Sequence, residues 1–233
     1  MSTSVIIPTY NHASTLASCL DLVFAQTLLP TEVIVVNDGS TDNTDEVIKP
    51  FLDRVQYIKQ ENKGGNAARN TGFERSTGEY VIFLDADAIM EADMLKKLLG
   101  ALQSEPNAAY AYSKFVFEGK KFPSQTFDAN KLKQMNYIHT SALIRRKAFP
   151  GFDPAIKKFQ DWDLWLTMLE AGSFGIFVDE YLSSIQKASG RTGISSWLPS
   201  FVYKIPWPIL NWTPKTIARY REAEVIIRDK HNL

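Results

Sequence analysis

Two carboxylates separated by one residue, Asp85 and Asp87, stand directly after the apolar run Tyr80-Val81-Ile82-Phe83-Leu84. Alternate side chains of an extended segment point the same way, so the pair can converge on one divalent cation, or on a cation and the sugar hydroxyl beside it. The uninterrupted apolar run is how a strand buried on both faces of a parallel sheet reads, and such sheets expose ligand sites at the carboxyl ends of their strands. Aspartate is also favoured in turns and at helix N-termini for local reasons, so the meaning of the pair depends on what surrounds it.

The elements that must position the pair follow a regular rhythm. Ser4 to Ile7 is a β-branched run stopped by Pro8, and Leu16, Leu20, Val23 and Phe24 then recur at helical spacing. Val33 to Val36 gives a second strand, broken by Asn37-Asp38-Gly39-Ser40, with Thr41 or Asp42 as cap of a helix to about Lys49. Val55 to Ile58 is a third strand, Gly64-Gly65 leads into a helix near Asn66 to Glu74, and a helix near Ala92 to Leu102 follows the Tyr80 strand. This alternation predicts an α/β fold with a mainly parallel, Rossmann-like sheet flanked by helices. After about Ser104 the pattern becomes mixed: a hairpin of Tyr110 to Glu118 with Phe122 to Phe127, a strand from Ile138 to Arg145, and a helix from Asp161 to Ala171. A strand from Phe174 to Val178, a loop around Ser189 to Gly193 and a helix from Pro214 to about Asp229 complete the chain.

Four loops fall at the ends of strands in the first half: Pro8-Thr9-Tyr10-Asn11, Asn37-Asp38-Gly39-Ser40, Lys63-Gly64-Gly65-Asn66 with Arg69 and Asn70, and Asp85-Ala86-Asp87. In a doubly wound sheet they ring one crevice, where nucleotides bind. Asp38 can accept from a base N–H, Arg69 can donate to base or phosphate oxygens, and Gly64 and Gly65 permit close backbone approach.

These segments, together with Gly65-Asn66-Ala67-Ala68-Arg69-Asn70-Thr71-Gly72, resemble the family 2 glycosyltransferases of GT-A fold. The resemblance covers roughly the first hundred residues. It implies transfer of a sugar from a nucleotide diphosphate sugar, often UDP-linked, to an acceptor hydroxyl with inversion at the anomeric carbon. Carried over by position, Thr9 and Asp38 contact the nucleotide, Asp38 through the uracil edge, and Arg69 helps hold it. Pro8, Tyr10, Asn11, Gly65 and Ala86 belong to the same donor-binding motifs. Asp85 meets ribose and donor sugar, and Asp87 binds Mn²⁺ or Mg²⁺. The segment Phe159-Gln160-Asp161-Trp162-Asp163 resembles the family's acidic pair and places Asp161 as the base that takes the acceptor proton. The same residues read locally as an N-cap and first turn.

The sequence departs from the family at three points. Ala88 follows Asp87 where many members have a further acid, Gln160 replaces a second acid, and the loop Gln186-Lys187-Ala188-Ser189-Gly190-Arg191 lacks the histidine many members carry. Lys187 or Arg191 is expected to cover the diphosphate as a fixed positive charge. His139 and Trp162 are candidate acceptor contacts, although either can be structural, and Trp165 is expected in the core. His12 is expected at a helix start. On this reading residues 1–104 bind the donor, 105–195 form the acceptor side of the same domain, and 196–233 are an aromatic segment and a helix.

Composition narrows the alternatives. The 26 basic and 26 acidic residues cancel, which argues against nucleic acid as a partner. Cys19 is the single cysteine, and Met1 to Pro8 lacks the basic and apolar regions of a signal peptide, so a cytoplasmic chain is the expectation. The segment Trp197 to Trp212 has three prolines and is too short to span a bilayer, yet its aromatics suit an interface. It is either a flap packed on the domain or a peripheral contact at the inner face of a membrane, where a lipid-linked saccharide would be the acceptor. A sugar nucleotidyltransferase needs a glycine-rich basic loop after the first strand, and a dinucleotide-dependent dehydrogenase needs Gly-x-Gly-x-x-Gly; neither is present. The non-enzymatic alternative is a nucleotide-sugar-binding scaffold that has lost catalysis.

Overall fold

The computed structural model describes residues 1–122, 124–185 and 214–233. The β-branched runs become inner strands: β1 (Thr3–Thr9), β2 (Glu32–Asp38) and β4 (Tyr80–Phe83), with β3 (Gln56–Gln60) outside β2. Helices α1 (Ala13–Phe24), α2 (Thr44–Val47) and α3 (Gly65–Arg75) connect them. The second half contributes β5 (Ala88–Met90), α4 (Met94–Ser104), β6 (Tyr110–Phe117), β7 (Lys120–Lys121), α5 (Ala129–Gln134), β8 (Leu143–Arg145), α6 (Gln160–Glu170), β9 (Gly175–Ile185) and α7 (Lys215–Lys230).

Hydrogen bonding joins the strands into one sheet in the order β3-β2-β1-β4-β8-β6-β9-β5, with β7 paired to β6. The strands from β3 to β4 run parallel, whereas β8 is antiparallel to both β4 and β6. β6 and β9 are parallel, and β5 is antiparallel to β9. Residues 1–104 and 105–185 therefore share a single sheet.

Side-chain alternation divides the interior into two cores, one on each face. Val5, Ile7, Ile82 and Leu84 pack with Leu16 and Leu20 of α1 and Leu95 and Leu98 of α4. Ile6, Val81 and Phe83 face the other way, toward Trp162 and Trp165 of α6. Both faces of β1 and β4 are thus covered, which is why these strands show no polar alternation. α3 closes tightly on the sheet at Gly72, where a Cβ would lie 2.4 Å from Ile6 Cγ2. Only a glycine permits that approach, and it sets the distance from Arg69 to the strand ends.

Several expected boundaries shift, each for a local reason. The second helix is one turn long and gives way to a 3-10 turn at Lys49–Phe51, because Pro50 cannot extend an α-helical ladder. Asp42 does not cap that helix from the N-cap position; its carboxylate accepts from Thr44 N–H and from Ala13 N–H, tying two loops together. The hairpin turns at Glu118 and Gly119, both at positive φ, but its return strand is only Lys120–Lys121 and does not extend to Phe127. The expected strand from Ile138 shrinks to β8, because Ser141 N–H bonds to His139 Nδ1 and folds that stretch into a local turn. β5 and α5 were not apparent from periodicity, and β9 is eleven residues long.

The last helix is firmly docked. Ile217 and Ile227 are buried, and Lys230 Nζ lies 2.7 Å from Asp153 and 2.8 Å from Asp163. His231 places Nε2 2.9 Å from Asp163 Oδ1 and Nδ1 2.8 Å from Glu170 Oε1. Glu170 is half exposed and contributes little, whereas Asp163 is buried and depends on its partners. His231→Ala removes one of them and should cost about 1–3 kcal/mol, read as a lower urea midpoint with an unchanged denaturant slope.

Candidate active site

The carboxyl ends of β1, β2 and β4 and the start of α3 converge at one edge of the sheet. β1 and β2 are in register, with Thr9 opposite Asn37, and Leu84 N–H reaches Ile6 O beyond the end of β4. The first two loops are stitched by Asn11, a non-glycine residue at φ 55, whose Oδ1 accepts from Thr41 N–H and Asp42 N–H while its own N–H donates to Ser40 Oγ. Asp38, also buried, accepts from Gln60 Nε2 and Lys63 N–H on one oxygen and from Gly64 N–H on the other, at 2.7–2.9 Å. Its carboxylate thereby fixes the loop that opens α3, and Gly64 takes φ 92 to make the turn. The oxygen bonded to Gly64 keeps lone-pair capacity for a further donor.

One turn into α3, Arg69 is buried and its guanidinium donates to Asp85 Oδ1 at 2.7 Å and to Asn66 Oδ1 at 3.2 Å. The pair ties the glycine loop to the Asp85-Ala86-Asp87 turn, in which Ala88 N–H returns to Asp85 O. Burial pushes the Asp85 carboxyl up, but the Arg69 guanidinium, through its charge and its hydrogen bond, outweighs this and holds the group below the usual carboxylate range. Two buried polar atoms at this edge, Thr9 Oγ1 and Arg69 Nε, have no hydrogen-bond partner. Orphaned donors of this kind are what a polar ligand would satisfy.

Among the described residues no three His, Cys, Asp or Glu side chains gather as a cation cage. A hard divalent ion held by one or two carboxylates plus substrate phosphates needs none, and an ionised Asp85 beside Asp87 offers suitable oxygen donors. Cys19 lies beneath this turn, its Sγ 3.7 Å from Asp85 O. Burial, with Asp87 and Asp85 nearby, pushes its thiol up to about 12, so it is inert at neutral pH.

Arg69 and Asp85 also form the floor of a cavity that extends into the second half and includes His139, Asn136 and Asp161. Asp161 occupies the first turn of α6, with Oδ1 accepting from Trp162 N–H at 2.9 Å. Burial pushes its carboxyl above the ordinary value, and His139 and the local N–H groups offset this only in part. His139 stacks against Phe115 at 4.7 Å, and its Nδ1 accepts from Ser141 N–H at 3.2 Å. The proton is therefore on Nε2. Burial pushes the imidazole down, so it stays neutral at pH 7 despite the attraction of Asp85 and Asp161.

Most of the expected positions come together here. Pro8 pairs with Val36 inside β1, Tyr10 is exposed beside the crevice, Ala86 is buried in the turn, and Gly65 opens α3 with a missing Cβ that would lie 3.3 Å from Arg69 Nη1. His12 stands at the N-cap position of α1. Trp162, expected at the acceptor, is instead a packing residue: it is buried, its indole N–H donates to Leu132 O at 2.6 Å, and Arg228 covers its ring. Trp165 is core as expected, stacked on Tyr110 with its N–H on Ile138 O. Lys187, Arg191 and the Trp197 to Trp212 segment lie outside the described residues. Sequence reasoning missed the Arg69–Asp85 contact and the cavity wall formed by Phe159 and Tyr220.

Comparison with known proteins places this geometry. GlyA, a glycosyltransferase of Streptococcus pneumoniae serotype 4, is 46% identical over 98 residues, which are 41% of this chain and 14% of GlyA. Staphylococcus aureus TarS (1–349) in complex with UDP-GlcNAc superposes with a TM-score of 0.69 at 20% identity, covering 92% of this chain and 68% of that one. The Pyrobaculum calidifontis mannosyltransferase PcManGT, solved with GDP-Man and Mn²⁺, gives 0.65 at 22% identity, covering 81% and 57%. The chain spans between 14% and 40% of the length of the curated relatives it matches. The fold is the GT-A fold. Residues 4–153 match the family described as glycosyl transferase family 2, and the chain belongs to that family.

Proposed function

We propose that the chain is an inverting glycosyltransferase that moves a sugar from a nucleoside diphosphate sugar, UDP-linked, to an acceptor hydroxyl during polysaccharide or glycoconjugate synthesis. One observation carries this reading: Asp161, a partly buried carboxyl with raised proton affinity, lines the same cavity as the Arg69–Asp85 pair at the carboxyl ends of β1, β2 and β4. Donor and base thus meet across one space. TarS binds UDP-GlcNAc and PcManGT binds GDP-Man with Mn²⁺ on the same fold, which supports a nucleoside diphosphate sugar as donor.

In the proposed reaction the acceptor oxygen attacks the anomeric carbon from the face opposite the nucleotide. A new C–O bond forms as the bond to the β-phosphate oxygen breaks, its electron pair leaves with the nucleoside diphosphate, and the acceptor proton passes to Asp161. Asp38 and Thr9 hold the nucleoside, and Arg69 orients Asp85 toward ribose and sugar. His139, with its proton on Nε2, donates a hydrogen bond to a substrate hydroxyl. Mn²⁺ or Mg²⁺ held by Asp87 would neutralise charge on the diphosphate. Lys187 and Arg191 are proposed to supplement that charge, and Trp197 to Trp212 to touch a membrane peripherally; no helix among the described residues is long and apolar enough to cross one.

A thermal-shift screen of nucleotide sugars with and without Mn²⁺ tests the donor assignment, because a ligand confined to the folded state raises its stability. A rise with a UDP-sugar that grows with Mn²⁺ is expected; no response to any member of a broad panel would sink the reading. Asp87→Ala should abolish metal-dependent turnover of that donor, followed as nucleotide release, and retained turnover would reassign the metal ligand.

Asp161→Asn should lower transfer by about 10²–10⁴. Wild-type transfer should rise with pH as Asp161 loses its proton, above the ordinary carboxylate range. The linkage sign is opposite for stability. A raised folded-state value stabilises below the unfolded pKa, and this contribution is lost as pH rises through the folded value. Asp161→Asn should therefore gain stability relative to wild type between acidic and neutral pH, measured by paired denaturation curves at both.

A further inference from the structure

The cavity that Asp161 lines has two aromatic pairs and several polar groups in its wall. In the first pair, Phe115 stacks on Phe122 at 4.4 Å. In the second pair, Phe159 meets Tyr220 of α7 edge to face at 5.0 Å and 83°, and Phe159 also meets Trp162 at 5.9 Å. Asn136, Thr140, Lys158 and Gln160 line the same cavity.

Phe159 has an unusual backbone. At φ 58 and ψ 30 it is left-handed, a conformation that costs a bulky residue roughly 1–3 kcal/mol and persists only where the surroundings enforce it. Here they do. Phe159 O accepts from Asp163 N–H at 2.9 Å in the first turn of α6, and the Asp163 side chain is clamped by Lys230 and His231. The left-handed residue swings its ring to the cavity side, two positions before Asp161, while Trp162 is hidden behind it.

We propose that the Phe159 ring, backed by Tyr220, is the platform on which a pyranose ring of the acceptor stacks, which makes the acceptor a saccharide with an apolar ring face and makes α7 part of its binding site. This rests on the glycosyltransferase reading. Pyranose C–H groups carry slight positive charge and complement the negative face of an aromatic ring. The hydroxyls around the sugar then reach Asn136, Thr140 and Gln160. An alkyl chain in the same place would offer those polar groups no hydrogen-bond partner in exchange for water. An acyclic polyol would satisfy them but offer no ring face.

The test compares transfer to methyl pyranosides (glucoside, galactoside and N-acetylglucosaminide) with transfer to glycerol and ribitol, each expressed relative to hydrolysis of the donor by water. Wild-type protein should favour at least one pyranoside over both polyols by about tenfold or more in kcat/KM. Phe159→Leu and Tyr220→Leu should lower the transfer-to-hydrolysis ratio by a similar factor through a higher acceptor KM, and Phe159→Tyr and Tyr220→Phe, which keep the rings, should restore it. If Phe159→Leu does not fold, the Tyr220 pair carries the comparison. Equal use of polyols and pyranosides, an unchanged ratio in the Leu variants, or failure of Tyr220→Phe alongside Tyr220→Leu would each overturn the platform while leaving the donor assignment intact. Failure of wild-type protein to bind or hydrolyse any nucleotide sugar would instead bring down the underlying reading, and the platform with it.

Discussion

The contact between buried Arg69 and partly exposed Asp85 is the constraint on which the rest of the site depends. Taking a guanidinium out of water is costly, and the structure tolerates it because one nitrogen meets a carboxylate and another an amide oxygen. Their alignment requires α3 to lie close on β1, which Gly72 allows, and requires the turn after β4 to present Asp85 upward. Helix packing, turn geometry and ionisation state are therefore coupled. A change that loosens α3 would alter the charge on the carboxylate pair without touching either aspartate.

Electrostatics then separate the carboxylates by role. Asp85 is next to a fixed cation and stays ionised, while the loss of water around Asp161 makes it hold its proton more strongly. Neutral His139 lies between the two fields without adding a permanent charge. The same side chain type thereby differs in proton affinity according to what surrounds it.

The first half was largely readable from sequence because its strands are buried on both faces and its helices carry clear apolar spacing. Val33 to Val36 and Tyr80 to Phe83 could hardly be anything else. The second half was harder for specific reasons. β5 and β8 are three residues long, too short for any period to register, and the residues before β8 looked extended although His139 bonds its own neighbour. At the site, the motif residues were visible but their mutual contacts were not: that Asp38 holds the Gly64 backbone, or that Arg69 reaches Asp85, follows from three-dimensional closure. Trp162 illustrates the limit. A tryptophan beside a carboxylate reads the same whether its face is open or sealed, and a distant carbonyl on α5 decided the matter.

The reversal of strand direction at β8 has a consequence for how such a site can diversify. Because β8 runs against β4, with Leu143 opposite Ile82, the stretch that leads into β8 arrives beside the Asp85 end of β4. That stretch is a turn held by His139 rather than extended chain, and His139 and Thr140 line the cavity, so inserting or deleting a residue there would shift both. The nucleotide edge, built from β1, β2 and α3, would not move. Loop length before β8 can thus reshape that wall of the cavity while leaving β1, β2 and α3 in place.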